Sequence, residues 1–224
     1  MVAAATTKVA LLGHPVAHSL SPRMQNAAFA AASLEWEYVA VDVAPVELEK
    51  AVRGLEERGF VGANVTAPHK QEVARILGSE LPSVNTVAGG KGYSTDAAIL
   101  EQVPRPGPAA IVGDGGAAAA FRHALPEARV FSRRGAWPPD GSGADLVIHA
   151  TSVRDQIMVE VEEGQTLIDL PYPDSATAAS AREHGARVLD GLDVLVAQGA
   201  ASFELWTGMP APVEAMRAAI GLAA

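Results

Sequence analysis

Short apolar runs ending in glycine or a polar residue alternate with longer amphipathic stretches through almost all of this 224-residue chain. Lys8–Gly13, Trp36–Val43 and Phe60–Val65 read as strands. Between them, Pro22–Ser33 carries Met24 and Phe29 at helical spacing. Val46–Arg58 is amphipathic and closes at Gly59, and a third helix runs from about His69 to Leu77. This βαβα rhythm predicts an α/β fold with a mainly parallel sheet covered by helices. Glu101–Pro108 holds three prolines and a glycine and reads as a linker. Beyond it the rhythm restarts, with strands at Ala109–Val112, Arg129–Ser132, Leu146–His149, Thr166–Leu170 and Arg187–Leu189. Helices fall at Gly116–Leu125 and Ser175–His184, then near Val194–Trp206 and Pro212–Ile220. A chain of this length fits one large domain or two small ones, and either can bury a core.

Composition narrows the chemistry. The formal charge of −9 argues against a general nucleic-acid or anionic-membrane surface. With no cysteine there is no disulfide, thiolate nucleophile or Cys-ligated metal, which is compatible with a cytoplasmic location. The start lacks a charged segment followed by a long apolar one, so no signal peptide is expected, and no apolar run reaches transmembrane length. The histidines do not form a metal site: His14 and His18 sit on a loop without a third ligand, His69 reads as solvent-facing, and His123, His149 and His184 are scattered. Phe203 and Trp206 read as core residues. Asparagine occurs only as Asn26, Asn64 and Asn85.

Five segments carry candidate chemistry. Gly113-Asp114-Gly115-Gly116-Ala117 follows a strand and opens a helix; small residues let the backbone approach a pyrophosphate, and the helix start offers N–H groups. A plain tight turn has the same composition, and Ala118 stands where a G-x-G-x-x-G pattern would end in glycine. One unit later a strand ends in Ser132-Arg133-Arg134, where arginines suit a 2′-phosphate and point to NADP rather than NAD. His18-Ser19-Leu20-Ser21-Pro22 is a helix start with Ser21 as N-cap; two hydroxyls at a helix N-terminus also suit a carboxylate. Asn64 and Thr66 alternate at a strand end ahead of Lys70, and Asp96 either caps a helix from Ala97 or supplies a carboxylate. A lysine and an aspartate on two strand-end loops form a proton-handling pair suited to a carbonyl or alcohol.

Taken in order, these segments resemble the shikimate dehydrogenase family. The matching pieces are 13–22 (GHPVAHSLSP), Asn26, 62–70 (GANVTAPHK), 84–86 (VNT), 94–96 (STD), 113–117 (GDGGA), 150–153 (ATSV), 191–198 (GLDVLVAQ) and 203–208 (FELWTG). The resemblance implies two domains: residues 1–102, completed by C-terminal helices over 192–224, bind the substrate, and residues 103–191 form a Rossmann-like NADP domain. It implies that Ser19 and Ser21 hold a carboxylate, that Asn64, Thr66, Asn85, Tyr172 and Gln198 contact hydroxyls and ring, and that Lys70 and Asp96 are the catalytic pair. Gly113, Asp114, Gly115, Gly116, Ala117, Ser132, Arg133, Arg134, Leu170 and Gly191 match cofactor positions. The implied reaction is reversible, NADP-dependent reduction of 3-dehydroshikimate to shikimate in aromatic amino-acid biosynthesis, by a cytoplasmic monomer or homodimer. A related quinate dehydrogenase, or a non-catalytic shikimate-binding homologue, shares much of the same substrate-side pattern. The chain departs from the family at Gln25 for histidine, Ser94 for asparagine, Ala97 for glycine, Asp114 for a small residue, Ala119 for arginine, His149 for asparagine and Arg154 for glycine. It is also shorter than typical members.

Overall fold

A computed structural model describes residues 6–103 and 107–223. The chain divides into two compact units, one of residues 1–95 with 198–224 and one of residues 96–197. The proline-rich segment expected as linker falls partly outside the described residues, at 104–106. Its first two residues, Glu101 and Gln102, end a 3₁₀ turn over Ala98–Gln102, and Ile99 and Val103 are buried in the core of the second unit. Burial of those two side chains places Asp96–Val103 in that unit.

The first unit holds a five-stranded sheet in the order β2-β1-β3-β4-β5. Strands β1 (Thr7–Gly13), β2 (Trp36–Asp42) and β3 (Phe60–Val65) run parallel. Antiparallel β4 (Thr86–Ala88) and β5 (Lys91–Tyr93) complete it as a hairpin. Hydrophobic alternation does not reveal this hairpin, because each strand has three residues. The pair Gly89-Gly90, with φ of +53° and +74°, is its turn signal.

Strand alternation divides the sheet between two cores. Ala10, Leu12, Ala63, Val65 and Val87 pack on one face against α2 (Leu48–Arg53) and α3 (Lys70–Ile76). The amphipathic stretch at 46–58 is shorter as a helix than expected. It begins as a 3₁₀ turn at Pro45–Glu47 and stops being helical at Gly54, a poor helix former. On the other face, α1 (Ser21–Ala31) supplies Met24, Ala28 and Phe29. Helix α6 (Gly191–Thr207) supplies Phe203, whose ring centroid lies 5.7 Å from that of Phe29. Trp206 is only partly buried; its indole N–H donates to the Val87 carbonyl at 3.0 Å and ties α6 to the hairpin. Helix α7 (Val213–Ala219) packs on α1.

The second unit is a wholly parallel sheet in the order β10-β9-β8-β6-β7. Its strands are β6 (Ala109–Val112), β7 (Arg129–Phe131), β8 (Leu146–His149), β9 (Thr166–Asp169) and β10 (Arg187–Leu189). Ile111, Leu146, Ile148 and Ile168 point into one core, and Ala110, Val112, Val147 and Leu167 into another, so both faces are covered as parallel sheets require. Helices α4 (Gly116–Ala124) and α5 (Ala176–Glu183) accompany it. The chain leaves β6 toward β7 on one side and returns to β8 on the other. The crevice beyond β6 and β8 is therefore the topological switch point, where such sheets receive ligands.

Asn26 binds the edge strand β2 by two bonds to one residue: its Nδ2 donates to the Tyr38 carbonyl at 3.0 Å, and the Tyr38 N–H donates to its Oδ1 at 2.8 Å. The Tyr38 ring is buried and its hydroxyl donates to Asn64 Oδ1 at 2.7 Å. Losing one such buried bond costs about 1–2 kcal/mol. Tyr38→Phe, which keeps the ring, is expected to lower the unfolding free energy by that amount in urea titration.

Candidate active site

The substrate-side residues of the first unit gather at the carboxyl ends of β1, β3 and the strand-end turns beside them. Strand register puts Asn64 directly opposite Thr86. Asn64 Nδ2 lies 3.0 Å from the Asn85 carbonyl, from Thr86 Oγ1 and from Ser202 Oγ on α6. With Tyr38 on its oxygen, the amide of Asn64 is spent inside the protein, and the residue is 4% exposed. Asn64 thereby frames the site from within the fold.

Asn85 continues the network. Its Oδ1 accepts the Thr95 N–H at 2.6 Å, and its Nδ2 donates to Thr95 Oγ1 at 2.9 Å and to Gln198 Oε1 at 3.2 Å. Thr95 Oγ1 and Ser202 Oγ both donate to the Gln198 carbonyl, at 3.0 and 2.8 Å. Thr86, Thr95 and Ser202, which no sequence motif assigns a role here, thus hold Asn85 and Gln198 in place. Thr86 and Thr95 lie within the 84–86 and 94–96 segments, whereas Ser202 lies in none of the matching segments. Asp96, itself buried, follows Thr95 directly in the chain.

Lys70 is the first residue of α3. The preceding turn is closed by the His69 N–H donating to the Thr66 carbonyl at 3.0 Å. His69 is not solvent-facing as its neighbours suggest. It is 2% exposed and its Nε2 hydrogen-bonds the Val43 carbonyl at 2.7 Å, because the turn directs it under the sheet edge. That anchor fixes the start of α3 and so the root of Lys70. Thr66 is half-buried at the end of β3, its N–H donating to the Leu12 carbonyl at 2.8 Å. Ser19 Oγ accepts the Ser21 N–H, and the Ser19 hydroxyl donates to Ser21 Oγ, both at 3.2 Å. The helix therefore begins at Ser21 itself, with Leu20 at the cap position, in place of the expected Ser21 N-cap. Ser19, rather than Ser21, turns its hydroxyl to the start of the helix.

In the second unit, Gly113 follows β6 with φ +134°, and a Cβ there would fall 2.5 Å from the Ala150 carbonyl. Only glycine fits this approach of two strand-end loops. A Cβ on Gly115 would meet nothing within 4 Å, so the turn is open ahead of α4. A cavity of about 290 Å³ lies against it, lined by Gly113 and Asp114, by Ser132, Arg133 and Arg134 beyond β7, and by Thr151 beyond β8. The carboxylate of Asp114 is offset by Arg134, at 3.8 Å. Arg133 lies over the Trp137 ring, 5.8 Å from its centroid. Gly191 packs against the backbone of Leu170, whose carbonyl would be 2.6 Å from a Cβ at that position. Tyr172 is half-buried in the same unit. An open glycine turn at a switch point, a nine-residue helix behind it and two exposed arginines beside it fit a phosphorylated dinucleotide. No cluster of histidine and acidic residues able to hold a metal occurs among the described residues, and no helix there is long and apolar enough to cross a membrane. A larger groove of about 710 Å³ beside α2 contains none of these motif residues.

A parallel sheet carrying such a turn, joined in one chain to a second α/β unit with a polar, lysine-bearing edge, defines the class of two-unit dinucleotide-dependent dehydrogenases. Residues 11–87 match the family model for the shikimate dehydrogenase substrate binding domain, and residues 191–220 that for the shikimate 5′-dehydrogenase C-terminal domain. The chain is similar to the shikimate dehydrogenase (NADP(+)) of Moorella thermoacetica, with 39% identity covering 96% of this chain and 92% of that protein. It is 36% identical to the enzyme of that name from an Anaeromyxobacter species, covering 98% of each. That alignment runs over 272 positions against a chain of 224 residues, so the relative's extra length corresponds to gaps within this chain. Among solved structures, the shikimate 5-dehydrogenase of Thermus thermophilus in complex with shikimate superposes with a TM-score of 0.80 at 29% identity, covering 96% of this chain and 97% of that one. This chain belongs to the shikimate dehydrogenase family.

The Asn64 network yields a pH-dependent test. In Asn64→Asp the new carboxylate faces the Asn85 carbonyl, which has no hydrogen to offer. Burial and that repulsion raise the carboxyl pKa in the folded state. A raised pKa means the variant's deficit is smallest below the unfolded value near 4 and grows as pH rises. The expected loss is about 3 kcal/mol at pH 7, shrinking at pH 5, by urea unfolding at both pH values.

Proposed function

We propose that this protein catalyses the reversible, NADP-dependent reduction of 3-dehydroshikimate to shikimate, as a cytoplasmic enzyme of aromatic amino-acid biosynthesis. Identity of 36–39% to NADP(+)-dependent shikimate dehydrogenases over nearly the whole chain carries this reading. The first unit binds the small acid and the second binds the dinucleotide. Either a monomer or a homodimer is compatible with these roles.

Ser19 and Ser21, at the start of α1, take the substrate carboxylate with the help of the helix N-terminus. Asn64, Thr66, Asn85, Tyr172 and Gln198 contact the substrate's hydroxyls and ring. Fixing Asn85 and Gln198 through Thr86, Thr95 and Ser202 means that their amides need not be ordered when substrate arrives. Gly113 to Ala117, Ser132 to Arg134, Leu170 and Gly191 hold the cofactor. NADPH, when bound, supplies the hydride that reduces the C3 carbonyl. As negative charge grows on the C3 oxygen, the Lys70 ammonium stabilises it and gives it a proton. Asp96 accepts a hydrogen bond from the adjacent substrate hydroxyl and orients both the substrate and Lys70. In the reverse direction Lys70 takes that proton back.

A positioned acid–base group contributes about 10²–10⁴-fold. Lys70→Ala is therefore expected to lose turnover by that factor while still binding shikimate in calorimetry; unchanged turnover removes Lys70 from the mechanism. The function itself is tested by following reduced nicotinamide absorbance with shikimate and NADP⁺, with quinate and NAD⁺ in parallel. Shikimate-dependent NADPH formation is expected. Turnover with quinate alone would move the protein to a related activity, and no turnover with retained shikimate binding would make it a binding homologue. Arg133 and Arg134 support an NADP preference: Arg134→Ala is expected to weaken NADPH binding more than NADH binding.

A further inference from the structure

The second unit contains a buried polar chain that no step above uses. His149 ends β8 and Asp169 ends β9, and the parallel register sets them side by side. His149 Nδ1 lies 2.6 Å from Asp169 Oδ1, and both side chains are fully enclosed. The other imidazole nitrogen, Nε2, lies 2.6 Å from the hydroxyl of Thr151. Asp169 Oδ2 has no hydrogen-bond partner among the described residues, so the carboxylate is engaged through His149. Both ring nitrogens are occupied, and the ring can neither flip nor swing without breaking a short bond.

Thr151 is where this chain meets the cavity. It is half-buried and lines the space beside Gly113. It directly follows Ala150, whose carbonyl abuts Gly113 and whose N–H donates to the Val112 carbonyl at 2.8 Å. A hydroxyl has one donor and two acceptor positions. One of them meets His149, and a second accepts the Val153 N–H at 3.2 Å. One position remains, on an oxygen whose orientation is set from behind by His149 and Asp169 at the switch-point crevice.

We propose that Thr151 is a direct hydrogen-bonding contact for the dinucleotide, and that Asp169 and His149 are positioning residues acting through it. The inference rests on the dinucleotide reading of the second unit. Because Thr151 stands beside the Gly113 turn, its contact is to a ribose hydroxyl shared by the two nicotinamide dinucleotides. It is not to the 2′-phosphate, which belongs to Arg133 and Arg134. An asparagine at position 149, the usual family residue, has a shorter side chain and would leave Thr151 without this brace; the histidine is a feature of this chain.

The test is calorimetric titration of the full chain with NADPH, NADH and shikimate. Thr151→Val, which keeps the shape and removes the hydroxyl, is expected to weaken NADPH and NADH by the same factor, roughly five- to tenfold. Shikimate affinity is expected to stay unchanged, and Thr151→Ser to remain within about twofold of the parent for both dinucleotides. His149→Asn is expected to weaken both dinucleotides in the parent and to add nothing in the Thr151→Val background, the mark of a residue acting through another. Unchanged dinucleotide affinity in Thr151→Val, weakening confined to NADPH, or additive effects of the two substitutions would each overturn the assignment. Failure of the unsubstituted chain to bind either dinucleotide would instead remove the dinucleotide reading, and this inference with it.

Discussion

The first unit depends on the amide of Asn64. It is buried at the end of a central strand, where an unpaired polar group is costly. Four surrounding groups remove that cost: the Tyr38 hydroxyl, the Asn85 carbonyl and the hydroxyls of Thr86 and Ser202. They come from different parts of the chain, so satisfying one side chain fixes β2, β3, β4 and α6 relative to each other. Asn26 extends the chain of bonds to α1 through the Tyr38 backbone. All three asparagines of the protein thus lie along one connected path, and their scarcity elsewhere is intelligible: here each amide has partners for both its donor and its acceptor. Asn85 and Gln198, which face the proposed ligand, inherit their orientation from this frame.

Much of this is legible in the chain, for identifiable reasons. Apolar runs such as Ala109–Val112 carry continuous hydrophobicity because parallel strands are covered on both faces, and they lie where expected. The glycine turn after β6 and the arginines after β7 fall at the switch point because strand order places them there. Position in sequence does not reveal which polar side chains point inward. His69 reads as exposed beside Lys70, yet the turn from Thr66 carries its ring to the Val43 carbonyl. His149 reads as isolated, because its partner Asp169 is twenty residues away and becomes a neighbour only through strand register. The β4–β5 hairpin escapes because three-residue strands have too little alternation to register, although Gly89-Gly90 marks its turn.

The departures from the family pattern acquire physical content in the same way. Gln25, where histidine is usual, is fully buried on α1 and donates to the Gly199 carbonyl at 2.9 Å, joining α1 to α6. Asp114, a charge beside a phosphate-type turn, has Arg134 at 3.8 Å to offset it. That pair is exposed, so its own contribution to stability is small. Its value lies in lowering the repulsion an anionic ligand would meet.

The proposed sites of the two units are therefore built to different tolerances. Around Asn64 and Asn85 almost every polar group is enclosed and shared, so a change at one residue disturbs several others, and the shape offered to a small acid is strongly specified. Arg133 and Arg134 stand in solvent, held by one aromatic face and one carboxylate, and can be exchanged at little cost to the fold. The Asp169–His149–Thr151 chain is the exception on that side. With its imidazole and carboxylate fully enclosed, it gives the dinucleotide half one contact as rigid as those of the substrate half. A binding surface with adjustable arginines outside and a single fixed hydroxyl inside can drift in its preference for the 2′-phosphate while keeping the rest of the cofactor in one place. On that logic, substitutions near Arg134 change which dinucleotide is preferred, and substitutions near Thr151 change how tightly both are held.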